Sequence, residues 1–235
     1  MPETERHKQN PLVDLLVSIV IPSVILMKFS GAQDLGAFHA LILALAFPLG
    51  WGAVDLLRCR RINFIAVLGL VSIVLTGGIG LLALDTQWLA VKEAAIPGLI
   101  GIAVVVSTRT RYPLVKTLLY SPATLDVARV REQLEARGVV QAFEAHLQNA
   151  TYMLGGTFFF SAAMNYFLTT WIVVSPTGSA AFNEELGRLT LLSYPVIALP
   201  SMLMTMFVLY YLARGIHEMT GLKFTDLLHS TMTKS

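Results

Sequence analysis

The chain has 235 residues, a formal net charge of +2, and a composition that is 55% hydrophobic and only 14% charged. Soluble domains carry about one quarter charged residues, so this balance excludes an ordinary soluble domain and points to an integral membrane protein. The single Cys59 excludes an intrachain disulfide and leaves too few thiols for a cysteine zinc site.

Met1 to Asn10 is polar, and the apolar run after it has spanning length without a small-residue cleavage site, so no secretory signal is expected. A membrane helix needs about 20 mostly apolar residues. Six stretches are predicted on that basis: Leu12–Met27, Gly36–Leu57, Phe64–Leu84, Trp88–Ser107, Thr151–Val174 and Leu189–Ala213. Of the 17 lysines and arginines, all but Lys28, Lys92 and Arg188 then fall on one side. Positive residues stay cytoplasmic, so both termini are expected inside.

The first run carries Asp14 and Pro22 and ends at Lys28, which can snorkel outward. Pro22 is expected to kink it. Asp14 is either an interfacial carboxylate or a group facing a cavity. The second run passes through Phe47-Pro48-Leu49-Gly50-Trp51-Gly52, which favours a bend at Pro48 and close helix contact. At its end Asp55 can pair with Arg58, and Arg58, Arg60 and Arg61 anchor the topology or meet anionic headgroups.

The third run contains Thr76-Gly77-Gly78-Ile79-Gly80. Glycines destabilise a helix, so these imply either tight packing against a neighbour or an unwound segment lining a polar path. Asp85 and Trp88 mark the outer interface. The fourth run places Lys92 and Glu93 near its start and Pro97, a further kink, one turn later. Charges on an apolar span are costly and informative. They are either wetted at the interface, or Glu93 occupies a cavity, paired with Lys92 or Arg188.

A cytoplasmic insertion, 109–150, follows. Thr124 is a candidate N-cap for an amphipathic helix that Gly138 stops, and a second short helix is predicted over Val139–Asn149. Its mixed charge argues against nucleic acid; the hairpin is solvated and large enough to bind a partner. The fifth run sets Ser161, Asn165, Thr169 and Trp171 mostly along one stripe, a seam that joins helices or binds substrate. After the turn Ser175–Gly178 and the outer segment Phe182–Arg188, the last run carries two predicted kinks, Pro195 and Pro200, with Arg214, His217 and Glu218 at its inner end.

The expected fold is therefore all-α: six transmembrane helices in a single membrane domain, 1–108, 109–150 and 151–235 being the first four helices, the insertion, and the last two with the tail. Val20–Ile25 resembles Ala95–Ile100, with Asp14 and Glu93 each preceding a proline. A three-plus-three duplication would place its copies in opposite orientations, the inverted repeat of many small transporters.

Four places carry a resemblance: Asp14 to Pro22, Asp55 to Arg61 leading to Asn63, Asp85-Xaa-Gln87-Trp88 running on to Pro97, and Asn165-Tyr166 followed by Phe182-Asn183-Glu184. In these the chain resembles the intracellular septation protein A family (YciB-type) and related small inner-membrane proteins, although its insertion from Arg109 to Asn149 is longer than the family core. The resemblance implies a bacterial inner-membrane location and a link to envelope maintenance or division. It implies no catalytic residue.

No nucleophile elbow, phosphate loop or histidine-rich metal spacing is present, so neither enzyme, cofactor nor metal is expected. The leading expectation is a small-solute or ion transporter or channel. Asp14, Lys92, Glu93 and Asn165 are its candidate binding residues, and Thr76, Gly77 and Gly78 supply polar side-chain and backbone groups. The alternative is a non-transporting envelope or division scaffold. Expected partners are membrane lipids, a small solute or ion, envelope or division proteins, and further copies of the chain.

Overall fold

The computed structural model describes residues 16–59, 64–110 and 127–221, and every regular element among them is helical. A π-turn, Leu16–Val20, leads into α1 (Ile21–Lys28). Then come α2 (Gly36–Cys59), α3 (Phe64–Leu81) and α4 (Gln87–Ser107). They are followed by α5 (Val127–Ala136) and α6 (Val140–Ile172). The helix α7 (Ala180–Ser193) runs through a second π-turn, Tyr194–Ala198, into α8 (Leu199–Thr220). Asp14, Arg60, Arg61, Asn63 and Thr124 lie outside the described residues, as do the side chains of Asp55 and Arg58.

The chain forms two interleaved compact units, one of residues 1–94 and 164–197, the other of 95–163 and 198–235. In the first, α1 packs against α2 and α7, and α2 against α3. Its core joins Leu26 of α1, Leu41 and Ala44 of α2, Leu89 of α4, and Phe182, Leu186 and Leu189 of α7. The spacing of three to four residues along α7 turns one stripe inward. Ser179 starts that helix by accepting the Phe182 N–H at 3.0 Å, satisfying one of the amides that a helix start leaves unpaired.

The second unit is built around Val130 and Leu134 of α5, Phe143 and Leu147 of α6, and Val208, Leu212 and Ile216 of α8. Each helix offers residues at i and i+4, which lie on one face. Gly138, at φ +66°, ends the α5 turn where the sequence places the stop. The amphipathic helix is thus part of a hydrophobic core, with Arg131 and Glu135 paired on its exposed side at 2.8 Å.

Several expectations change. The short helix predicted over Val139–Asn149 is not separate. It continues without a break into the fifth run as α6, because Asn149, Ala150 and Thr151 contain no helix breaker. The third run ends at Leu81, and the residues to Thr86 form a turn. The unwound reading of Thr76 to Gly80 is overturned, since α3 stays helical through all five. Two of the three glycines in that stretch serve close packing: a Cβ on Gly77 would stand 2.7 Å from the Leu45 side chain, and one on Gly80 2.6 Å from that of Leu41.

The prolines also divide. Pro48 and Pro97 sit inside unbroken helices. Pro22 and Pro200 occupy the first turn of α1 and α8, each directly after a π-turn. Pro195 lies within the second π-turn.

Two helical stretches among the described residues are long and apolar enough to cross a membrane, Gln87–Ser107 and Ala180–Thr220. Gly36–Gly50 and Val71–Leu81 are apolar but shorter. The last predicted span, Leu189–Ala213, therefore lies within a longer stretch of 41 residues.

Candidate functional site: an enclosed lysine in an apolar hairpin

The site is built by the reversal between α3 and α4. At the end of α3 the Leu82 and Leu84 amides bond back to the carbonyls of Gly78 and Ile79 at 3.0 Å, and Ala83 takes a left-handed φ of +50°. Asp85 then opens α4, its carboxylate accepting the Gln87 N–H at 2.8 Å. Thr177 fixes the turn by donating its hydroxyl to the Leu84 carbonyl at 2.7 Å. Thr76 and Lys92 are at equal remove from Leu84 along the chain, so the reversal sets them opposite each other.

Ser72 and Thr76 share a face of α3, four residues apart. The Lys92 ammonium donates to the Thr76 hydroxyl at 2.6 Å and to the Ser72 hydroxyl at 3.2 Å. Its third neighbour is a Glu93 carboxylate oxygen at 2.6 Å. An ammonium has three N–H donors, and here each has an oxygen. The Thr76 hydroxyl proton is committed elsewhere, to the Ser72 backbone carbonyl at 3.0 Å. Thr76 therefore meets Lys92 with its lone pairs.

Only 9% of the Lys92 side chain is exposed, against 30% for Glu93. A charge so enclosed must be paired and hydrogen-bonded to remain ionised. The Lys92–Glu93 pairing expected as one alternative is what forms. Arg188 is engaged instead by Glu184, one helical turn away on α7.

The other candidates are placed as follows. Gly77 and Gly78 lie on the helix that carries Thr76, Gly77 against Leu45 and Gly78 without a close neighbour at its Cβ position. Asn165 is half-buried on α6. In the predicted seam Thr169 is buried and its hydroxyl has no hydrogen-bond partner among the described residues. Trp171, expected on the same stripe, is 71% exposed and turns outward.

Three polar residues of this unit carry more structure than their sequence positions suggest. Ser72 supplies a ligand to Lys92; only its spacing from Thr76 hints at this. Asn183, fully buried, donates its amide to the Ser30 hydroxyl at 3.0 Å and the Ala37 carbonyl at 2.7 Å, which ties α7 to the turn between α1 and α2. Glu185 closes the α6 to α7 connection, one oxygen accepting the Val174 and Ser175 amides at 3.0 and 2.9 Å and the other the Ser175 hydroxyl at 2.7 Å.

Compared with known proteins, the chain matches no family model, no curated protein and no solved structure.

Proposed function

We propose that this chain is a polytopic membrane protein that crosses the bilayer six times and moves a small solute or ion, with Lys92, Glu93, Thr76 and Ser72 at its polar centre. One observation carries the reading: an enclosed ammonium, compensated by a carboxylate and two hydroxyls, stands on an apolar helix long enough to span a membrane. Ionisable groups at such positions are kept for substrate or ion pathways far more often than for packing. The exposed Trp88 and Trp171 support the membrane setting, since aromatic rings gather at the interface.

In this reading Gly36–Gly50 and Val71–Leu81 are the apolar hearts of the second and third spans. α6 is the fifth, and the run from Leu12 to Met27, bearing Asp14, is the first. Asp14, Asn165 and Gly78 remain further candidates for the binding path, and Gly77 lets Leu45 approach the helix that carries Thr76. The inverted repeat and membership in the septation protein A family belong to the same proposal, with a bacterial inner-membrane location and cytoplasmic termini. The likeness of Val20–Ile25 to Ala95–Ile100, each with its proline third, supports the first; the Asp85 to Pro97 entry into α4 supports the second.

A scaffold role is the weaker reading. The apolar stripe of α5 is spent on Phe143, Leu212 and Ile216 within its own unit, which leaves a charged outer face for any partner.

The test is flux into proteoliposomes across a panel of monovalent ions and small polar solutes. Uptake of at least one, lost in Glu93→Gln protein that still folds and inserts, is the expected result. No flux of any solute, with Glu93→Gln cells indistinguishable from wild type, would overturn the proposal. Reporter fusions check the topology: sites in 109–126 should report cytoplasmic and sites in 175–179 external.

A further inference from the structure

We infer that Ser72, Thr76 and Glu93 form a monovalent-cation site, and that Lys92 fills it as a tethered occupant which a free cation of similar size displaces. The inference rests on the transport reading for its purpose, though the binding itself does not depend on flux.

Three features define the ligand. First, the cage is made of acceptors, because the Thr76 hydroxyl proton is directed at the Ser72 carbonyl and the remaining charged group is a carboxylate. Second, its oxygens surround one point at 2.6, 2.6 and 3.2 Å. Magnesium requires about 2.0–2.1 Å and calcium about 2.3–2.6 Å, with more oxygen ligands than three. With only three oxygens, held at the hydrogen-bond distances of an ammonium, the cage fits an ion of ammonium size. Third, the cage carries a single negative charge, which one monovalent cation neutralises.

Lys92 reaches the cage on a flexible four-carbon stem, and its partner Glu93 is the more exposed of the two. When a potassium or ammonium ion enters, the Lys92 ammonium swings away and the charge on the cage is unchanged. Such an exchange makes the pair an ion-sensitive latch between α3 and α4.

The experiment is thermal unfolding of purified protein in choline chloride, with potassium or ammonium exchanged for choline at constant ionic strength. Lys92→Met leaves the cage negative and empty. Its unfolding temperature should rise by several degrees, saturably, with potassium or ammonium, as a ligand that binds only the folded state requires. Magnesium and calcium should give no such rise, and the double variant Lys92→Met/Glu93→Gln should be flat. A Lys92→Met protein indifferent to the cation, or a double variant with the same response, would overturn the inference.

Should Lys92→Met fail to accumulate, the wild-type chain gives an independent reading. Acylation of Lys92 by a small amine-reactive ester, measured by mass spectrometry against the exposed Lys28, should increase with potassium or ammonium and not with choline. An unchanged ratio removes the site. Because neither readout is flux, a flat response alongside Glu93-dependent uptake would remove the cation site and leave the transport proposal standing.

Discussion

Gly187 of α7 lies so close to Ser23 of α1 that a Cβ placed on it would be 2.9 Å from the Ser23 carbonyl oxygen, and 2.8 Å from the Met27 side chain. The methionine has room to move; the carbonyl belongs to a helix backbone and does not. Gly187→Ala should therefore push α7 off α1 and cost about 1–3 kcal/mol, the usual penalty of overpacking. Denaturant titration in mixed micelles measures it, and an unchanged midpoint would contradict this contact.

Asn183 holds the opposite end of the same contact. Asn183→Ala strips one buried and one part-buried hydrogen bond and leaves the Ser30 hydroxyl and Ala37 carbonyl without their donor. The expected loss is about 2–3 kcal/mol. Hydrogen exchange should localise the loosening to 29–37, the turn that the amide pins.

Ala83 adopts its left-handed φ without the freedom glycine has there. For an L-residue that conformation costs about 1–2 kcal/mol, and replacement by glycine recovers part of it against a larger unfolded-state entropy. Ala83→Gly should raise stability by a few tenths to about 1 kcal/mol, read as a higher unfolding temperature.

Leu134 tests the status of the insertion. Were the hairpin merely solvated, deleting or weakening it would leave the membrane helices intact. With Leu134 buried among residues of α6 and α8, Leu134→Ala should cost about 2–5 kcal/mol, the range for a buried leucine. Deletion of 124–138 should expose Phe143, Leu147 and Ile216 and cause aggregation in detergent, which size-exclusion chromatography detects.

Of the six predicted runs, the fourth and the last fall in helical stretches long and apolar enough to cross a membrane. The predicted fourth run, Trp88–Ser107, differs from α4 by one residue, because Asp85 and the polar Thr86 and Gln87 mark its start. The Lys92–Glu93 pair was equally visible, since charge is conspicuous on an apolar helix. Ser72 was not, because one hydroxyl in such a run has many innocent explanations until its neighbour is known. Asn183 was hidden more deeply: its partners are 153 and 146 positions away, and no local pattern encodes a contact of that reach. The fusion of the short helix expected over Val139–Asn149 with the fifth run was missed for a different reason. A change from charged to apolar side chains alters what a helix touches without altering its backbone.

The π-turn at Tyr194–Ala198 has a last consequence. Such a turn is an α-helix that has taken in one residue beyond its normal complement, so the side chains before and after it keep the directions they would have without the guest. Removing one residue there should restore an ordinary turn with the α7 and α8 stripes still aimed as before. The same deletion anywhere else along Ala180–Thr220 would rotate every following side chain by about 100°. Within that stretch, the π-turn is where the chain can be shortened without readdressing its faces.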